Sequence, residues 1–256
     1  MQYNKNIEIY QHTKTICKKL NFPLERAIKY DYNAPDFSDD YIFNKFSSPN
    51  YNPSIIVDNI DSFDMARKMI VPTDNNKILV LNLASFLSSG GGVERGCIAQ
   101  EEDLYRKSNY FQANYRNFYP LRKSEVIYSP TVYIIKDSNY NLLDKFVAVS
   151  CLAVAALKNP PLVKISGANN YYERDIDKTI MQEKIDMIFK VAIMNGHSDL
   201  VLGALGCGVY GNPKFEVALM FKNSIMKYGK YFKRIGFAIL FRKENSNYNV
   251  FKKVLS

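Results

Sequence analysis

Residues 77–103 read KILVLNLASFLSSGGGVERGCIAQEED, and this stretch decides the fold class. Lys77–Leu83 is an unbroken apolar run with β-branched and leucine side chains, the pattern of a strand buried on both faces. It runs into Ser88-Ser89-Gly90-Gly91-Gly92. A helix is predicted from about Ile98 to Tyr110, and Gln100-Glu101-Glu102-Asp103 fall in its first turn. A buried strand, a glycine-rich loop and a helix in that order make one unit of an α/β fold, whose ligand crevices lie at the carboxyl ends of the strands.

The same alternation continues on both sides. Ser54–Val57 reads as a short strand, followed by a helix over Phe63–Ile70 with Asp61 or Ser62 as its N-cap. Glu125–Tyr128 and Thr131–Ile135 read as paired strands around Ser129-Pro130, and Lys145–Ala156 as a central strand. Ile176, Ile180, Ile185, Ile188 and Val191 share one face of a helix over Glu173–Asn195. Leu200–Leu205 is a further buried strand, Lys214–Tyr228 a helix and Arg234–Phe241 a last strand. The expected architecture is a three-layer α/β domain over residues 51–256 with a mostly parallel sheet. Residues 1–50 form an extension packed on it, with helices near Asn6–Lys19 and Pro23–Lys29 and a polar, turn-rich stretch over Asn33–Asn50.

Composition narrows the chemistry. The chain has 256 residues, 47% of them hydrophobic and 23% charged, enough to bury a sizeable core. Its 34 lysines and arginines exceed its acids by nine. That excess favours polyanionic partners, although a solvated lysine-rich surface produces the same balance. Cys17, Cys97, Cys151 and Cys207 are widely spaced and form no CxxC pair, and His12 and His197 are the only histidines. A zinc site, a disulfide framework or a histidine-based triad is therefore not expected, and acid–base work falls to carboxylates. No metal or other cofactor is called for. The polar N-terminus and the absence of a long apolar run lead us to expect a reducing intracellular compartment, cytoplasm or nucleus, with no membrane partner.

Eight of the twelve glycines sit in two segments that follow apolar strands: Gly90, Gly91, Gly92 and Gly96, then Gly203, Gly206, Gly208 and Gly211. They form either ordinary tight turns or backbone cradles for phosphate oxygens. Two such loops together favour the cradle. Neither is a dinucleotide GxGxxG fingerprint or a Walker A loop. The three acids after Ala99 either complement a helix dipole or supply a carboxyl pair for general acid work on a glycosidic bond. The aromatic clusters Tyr171-Tyr172 and Tyr115–Tyr119 either fill core and surface or stack an adenine.

Together these motifs resemble the microbial-type poly(ADP-ribose) glycohydrolases. Gly90-Gly91-Gly92, seven residues and Gln100-Glu101-Glu102 match the family's GGG…QEE signature. Asn82-Leu83-Ala84-Ser85 resembles the strand before it. Asn59-Ile60-Asp61-Ser62 and Tyr128-Ser129-Pro130 resemble two further segments, and Gly206–Pro213 (GCGVYGNP) resembles the diphosphate loop. Leu83 and Tyr210 stand where phenylalanine is usual, and Ser88-Ser89 replaces an approach that contains Asn or Pro.

The resemblance implies a macrodomain-like α/β/α fold with a mixed sheet and hydrolysis of ribose–ribose bonds, from the chain end, with poly(ADP-ribose) or ADP-ribosylated macromolecules as partners. ADP-ribose would be the product ligand and the enzyme a monomer. Glu102 would be the general acid, Glu101 would hold ribose hydroxyls, and Asn82 would support the same sugar. Gly90, Gly91, Gly92 and Gln100 would line the ribose site. Gly206, Cys207, Gly208 and Val209 would cradle the diphosphate, with Tyr210 against the distal ribose. Removal of single ADP-ribose groups, or ADP-ribose binding without catalysis, are the alternatives, and the intact Glu pair speaks against the last.

Overall fold

The strand Ile78–Leu83 stands fourth in a seven-stranded sheet, with three strands on either side. The structure is a computed structural model that describes residues 2–71, 77–164, 169–241 and 246–256. In chain order the strands are β1 (Ile28–Asp31), β2 (Ser54–Asp58), β3 (Ile78–Leu83), β4 (Glu125–Lys136), β5 (Leu142–Val154), β6 (Leu162–Lys164), β7 (Asn170–Tyr172), β8 (Asp199–Leu202) and β9 (Arg234–Ala238). The helices are α1 (Gln2–Leu20), α2 (Asp39–Lys45), α3 (Ser62–Met69), α4 (Gln100–Lys107), α5 (Tyr110–Ala113), α6 (Asp175–Met194), α7 (Lys214–Tyr228) and α8 (Asn247–Leu255). The main sheet has the order β1-β4-β5-β3-β8-β9-β2, and β6 and β7 form a small hairpin apart from it.

The sheet is mixed. β5, β3, β8, β9 and β2 run parallel, while β4 and β1 pair antiparallel at one edge. Alternation along β3 divides the core. Leu79 and Leu81 pack with α6, α7 and α8, whereas Ile78 and Val80 pack with α1, α3, α4 and α5. Each fully buried side chain of this kind contributes about 1.5–3 kcal/mol. Both faces are covered, so the fold is a three-layer α/β/α sandwich. Asn82 continues the Ile78–Val80 series and is therefore directed toward the α4 layer. No helix among the described residues is long and apolar enough to cross a membrane.

Three expectations are corrected. Pro23–Lys29 forms no helix: Ile28–Asp31 pairs with Tyr128–Glu125 as an edge strand, so the first fifty residues contribute to the sheet itself. Glu125–Ile135 is not a pair of strands but part of one strand, with a register shift between Ser129 and Val132. Pro130 has no N–H to give to a ladder, and the irregularity absorbs it. The stretch Asn33–Asn50, expected as turns, contains the helix α2 over Asp39–Lys45, capped by Ser38.

The N-terminal helix bears directly on the glycine loop. Asn6 Nδ2 donates to the Gly96 carbonyl at 2.9 Å, and Thr13 Oγ1 donates to the Arg106 carbonyl at 2.5 Å. The Nζ of buried Lys136 donates to Thr13 Oγ1 at 2.8 Å and to the Ile9 carbonyl at 3.1 Å. Gly96 has a φ of +75° and no room for a Cβ against the backbone of Tyr3. Only glycine allows both the turn and that approach.

Candidate active site

The two glycine loops leave the adjacent parallel strands β3 and β8 at their carboxyl ends, side by side. Three acids open α4, and their side chains go to two places. Asp103 turns away, accepting hydrogen bonds from Tyr140 OH and Lys107 Nζ, both at 2.7 Å. Glu101 and Glu102 turn toward Gly90–Gly92.

Glu101 is 2% exposed. Its Oε1 accepts from Gly90 N at 3.1 Å and Asn82 Nδ2 at 3.2 Å, and its Oε2 accepts from Ser85 N at 2.7 Å. Burial pushes this carboxyl up to about 8, against the pull of those three donors and with a further push from Glu102. Glu102 is 7% exposed. Its Oε1 accepts from Gly92 N at 2.8 Å, and its Oε2 reaches back to Ala99 N at 3.1 Å. That second bond is half of a capping box, since Ala99, the N-cap, has no side-chain oxygen to return. Segment 92–99 thus wraps the Glu102 carboxylate with one backbone donor on each oxygen.

Gly91 explains the glycine run. Its φ is +55°, and a Cβ there would lie 2.6 Å from Glu102 Oε1 and 3.0 Å from Glu101 Oε2. Gly90 (φ +78°) has the Tyr105 ring 2.6 Å from where its Cβ would stand, and Gly92 has Cys97 Sγ at 2.5 Å.

Other expected site residues lie deeper. Asn82 is fully buried beneath Glu101, also donates to Tyr110 OH at 3.4 Å, and its Oδ1 has no partner among the described residues. The amide of Gln100 is used within the protein: Oε1 accepts from Leu83 N at 2.9 Å, and Nε2 donates to the Leu81 carbonyl at 2.7 Å and Ser62 Oγ at 3.0 Å. Gln100 therefore pins α4 to the end of β3. The segment Asn59–Ser62 has a similar part. Asp61 caps α3 and pairs with Lys107 at 3.4 Å, and Asn59 Oδ1 accepts from Phe241 N at 2.7 Å.

In the second loop Gly206 has a φ of +73° and Gly211 a φ of +69°. Asn212 ties the loop shut, donating to the carbonyls of Leu157 (2.7 Å), Gly206 (3.1 Å) and Tyr210 (3.3 Å) and accepting from Tyr172 OH at 2.7 Å. The N–H groups of Gly208, Val209 and Tyr210 have no partner among the described residues. Val209 is 84% exposed, and Cys207 Sγ donates inward to the Leu205 carbonyl. These three amides stand ahead of the α7 N-terminus, an arrangement that favours an anion. Tyr210 joins the two loops: its OH accepts from Phe86 N at 3.4 Å, and the two rings lie 6.5 Å apart.

The aromatic pairs pack against neighbouring rings. Tyr172 is buried, Tyr171 meets Phe215 edge-on, and Tyr115 meets Phe118 in the same way. Sequence reasoning missed the layer behind the glycine loop. Tyr105 OH lies 2.6 Å from Ser89 Oγ and accepts from Asn114 Nδ2 at 2.7 Å, and Asn114 also donates to Tyr119 OH at 3.0 Å. Its signal was available: Tyr105 stands four residues after Glu101, on the same helix face.

The family model for the catalytic domain of microbial-type PARG, poly(ADP-ribose) glycohydrolase, matches residues 4–137, just over half of the chain. The chain belongs to that family. The match takes in the glycine loop and both glutamates. No curated protein shows significant sequence similarity to this family member. Among solved structures it is similar to the Thermomonospora curvata poly(ADP-ribose) glycohydrolase, with 20% identity, 98% of this chain and 99% of that chain covered, and a TM-score of 0.77. It also resembles the same enzyme bound to the inhibitor ADP-HPD (22% identity, 98% and 99% covered, TM-score 0.69). A third is the Deinococcus radiodurans poly(ADP-ribose) glycohydrolase in complex with ADP-ribose (22% identity, 90% and 94% covered, TM-score 0.70). At these identities the likeness establishes a shared fold, the macrodomain-like sandwich with its mixed sheet.

Proposed function

We propose that this PARG-family hydrolase cleaves the ribose–ribose O-glycosidic bonds of poly(ADP-ribose) from the chain end, releasing ADP-ribose, with Glu102 as the general acid. The observation that carries the reading is the Glu101–Glu102 pair folded over Gly91. Two carboxyls face one glycine beside a loop with three free amides, an arrangement that suits a sugar and its diphosphate. The inhibitor and the ADP-ribose held by the two bacterial relatives support the same ligand class.

In this scheme the N–H groups of Gly208, Val209 and Tyr210 take the diphosphate, and Tyr210 packs on the distal ribose. Burial holds the Glu101 carboxyl up to about 8. Glu101 Oε2 has a single donor, Ser85 N, which leaves a lone pair for a ribose hydroxyl. Glu102 gives a proton to the departing ribose oxygen as the bond to the anomeric carbon breaks and an oxocarbenium-like sugar forms. The resulting carboxylate then takes a proton from the water that attacks that carbon, which restores the acid.

The test is release of ADP-ribose from purified polymer by wild type and by Glu102→Ala. The variant is expected to lose roughly 10²–10⁴ of the rate and to keep ADP-ribose affinity by calorimetry. If wild type binds ADP-ribose but frees none from polymer, the reading fails, and singly ADP-ribosylated proteins become the substrate to try.

A further inference from the structure

Arg95 is an exposed cation beside the Gly90–Gly92 loop, without a partner among the described residues. It ends a short 3-10 turn, Val93–Arg95, between the glycine loop and α4. A Cβ on Gly92 would lie 3.3 Å from its Nη2, so the guanidinium reaches across Gly92, whose N–H is held by Glu102 Oε1. Among the described residues it makes no hydrogen bond or ion pair. The neighbouring carboxylate is already taken: Glu94 pairs with Lys14 at 3.1 Å and faces Arg116 at 3.9 Å. The backbone that presents Arg95 is held in place, because Gly96 closes the turn in the left-handed region and its carbonyl accepts from Asn6.

We propose that Arg95 binds a phosphate of the departing unit of the polymer, the ADP-ribose whose oxygen Glu102 protonates. This rests on the glycohydrolase reading above. The unit being released occupies the second loop, so its neighbour in the chain lies on the other side of the Glu102 carboxylate. The backbone there is segment 92–99, and Arg95 is the unpaired cation on it. The departing ribose carries a diphosphate one sugar ring away from the oxygen that leaves. A planar guanidinium donates two parallel N–H bonds to such an oxyanion, and it meets no competing carboxylate.

The experiment compares two substrates for wild type, Arg95→Ala and Arg95→Lys. One is poly(ADP-ribose). The other is ADP-ribose with a nitrophenol on its terminal anomeric carbon, a leaving group without phosphate. The ratio of kcat/KM on polymer to kcat/KM on the aryl compound is expected to fall roughly tenfold in Arg95→Ala. The fall should come through KM, Arg95→Lys should recover part of it, and added salt should erase the difference between wild type and Arg95→Ala. A ratio unchanged by Arg95→Ala, or one that falls equally in Arg95→Lys and is indifferent to salt, overturns the proposal. Wild-type release of ADP-ribose from polymer tests the glycohydrolase reading separately, so the two failures are told apart.

Discussion

Gly91 and Glu102 are fitted so closely that a methyl group on the glycine would stand 2.6 Å from the carboxylate Oε1. The glycine is there for the acid as much as for the turn. Gly91→Ala pays twice, since alanine at φ +55° costs about 1–2 kcal/mol and its methyl displaces both carboxyls. A displacement of about 1 Å at a reacting group costs about 100-fold in rate. The expected outcome is a folded protein, a few degrees less stable by thermal melting, with hydrolysis of polymer reduced at least that far.

Glu101 gives the protein a pH signature. Its carboxyl is raised to about 8 in the folded chain from an ordinary value of 4.5. Between those values the folded state binds the proton more tightly than the unfolded one, so this contribution to stability is complete below pH 4.5 and is lost as pH rises toward 8. The slope is at most about 1.4 kcal/mol per pH unit. His197, pushed down to about 4 by burial, acts in the opposite sense between pH 4 and 6.5. Comparison with Glu101→Gln cancels that effect. In urea titrations the advantage of wild type over Glu101→Gln should shrink steadily from pH 4.5 to 8. A constant gap would falsify the assignment of a proton to Glu101.

The N-terminal helix is held by a hydroxyl that serves two partners. Thr13 Oγ1 donates to the Arg106 carbonyl and accepts from Lys136, a lysine 1% exposed and pushed down to about 8 by burial. Thr13→Val keeps the shape but leaves the ammonium with the Ile9 carbonyl alone. The expected loss is about 1–3 kcal/mol, read from chemical denaturation, with amide exchange in Gln2–Leu20 rising first. Adding Lys136→Met removes the unsatisfied charge, and the double variant should recover a good part of the loss.

How much of this was legible depended on how local the cause was. Gly90–Gly92 and Gly206–Gly211 announce positive φ and close approach in their own composition, and the two loops meet through Phe86 and Tyr210. The acids after Ala99 were visible as a group, but their division was not. Asp103 is drawn off by Tyr140, thirty-seven residues away, and only the folded chain brings the two together. β1 escaped for a related reason. Ile28–Asp31 is a four-residue edge strand, too short for its alternation to stand out and with its first two residues exposed, and it is defined by its pairing with Glu125–Tyr128. The motif singled out Gln100 and Asn82, and in the structure the hydrogen bonds of Gln100 hold α4 to β3 while Asn82 donates to Glu101. A motif marks what a site needs without saying which members touch the ligand.

Tyr210 tests that distinction in the second loop. Its hydroxyl accepts from Phe86 N at 3.4 Å, a long bond, while its ring closes the space between the loops at 6.5 Å from Phe86. The ring is the larger contributor, because a marginal bond to a partly buried amide is exchanged for water at little cost. Tyr210→Phe is therefore expected to bind ADP-ribose within about twofold of wild type and to lose less than ~1 kcal/mol of stability. Tyr210→Ala opens the crevice and should weaken ADP-ribose roughly tenfold or more. Calorimetry on the two variants reads both. If Tyr210→Phe alone weakens binding tenfold, the hydroxyl contacts the sugar directly, and the tyrosine is a polar ligand contact as well as an aromatic wall.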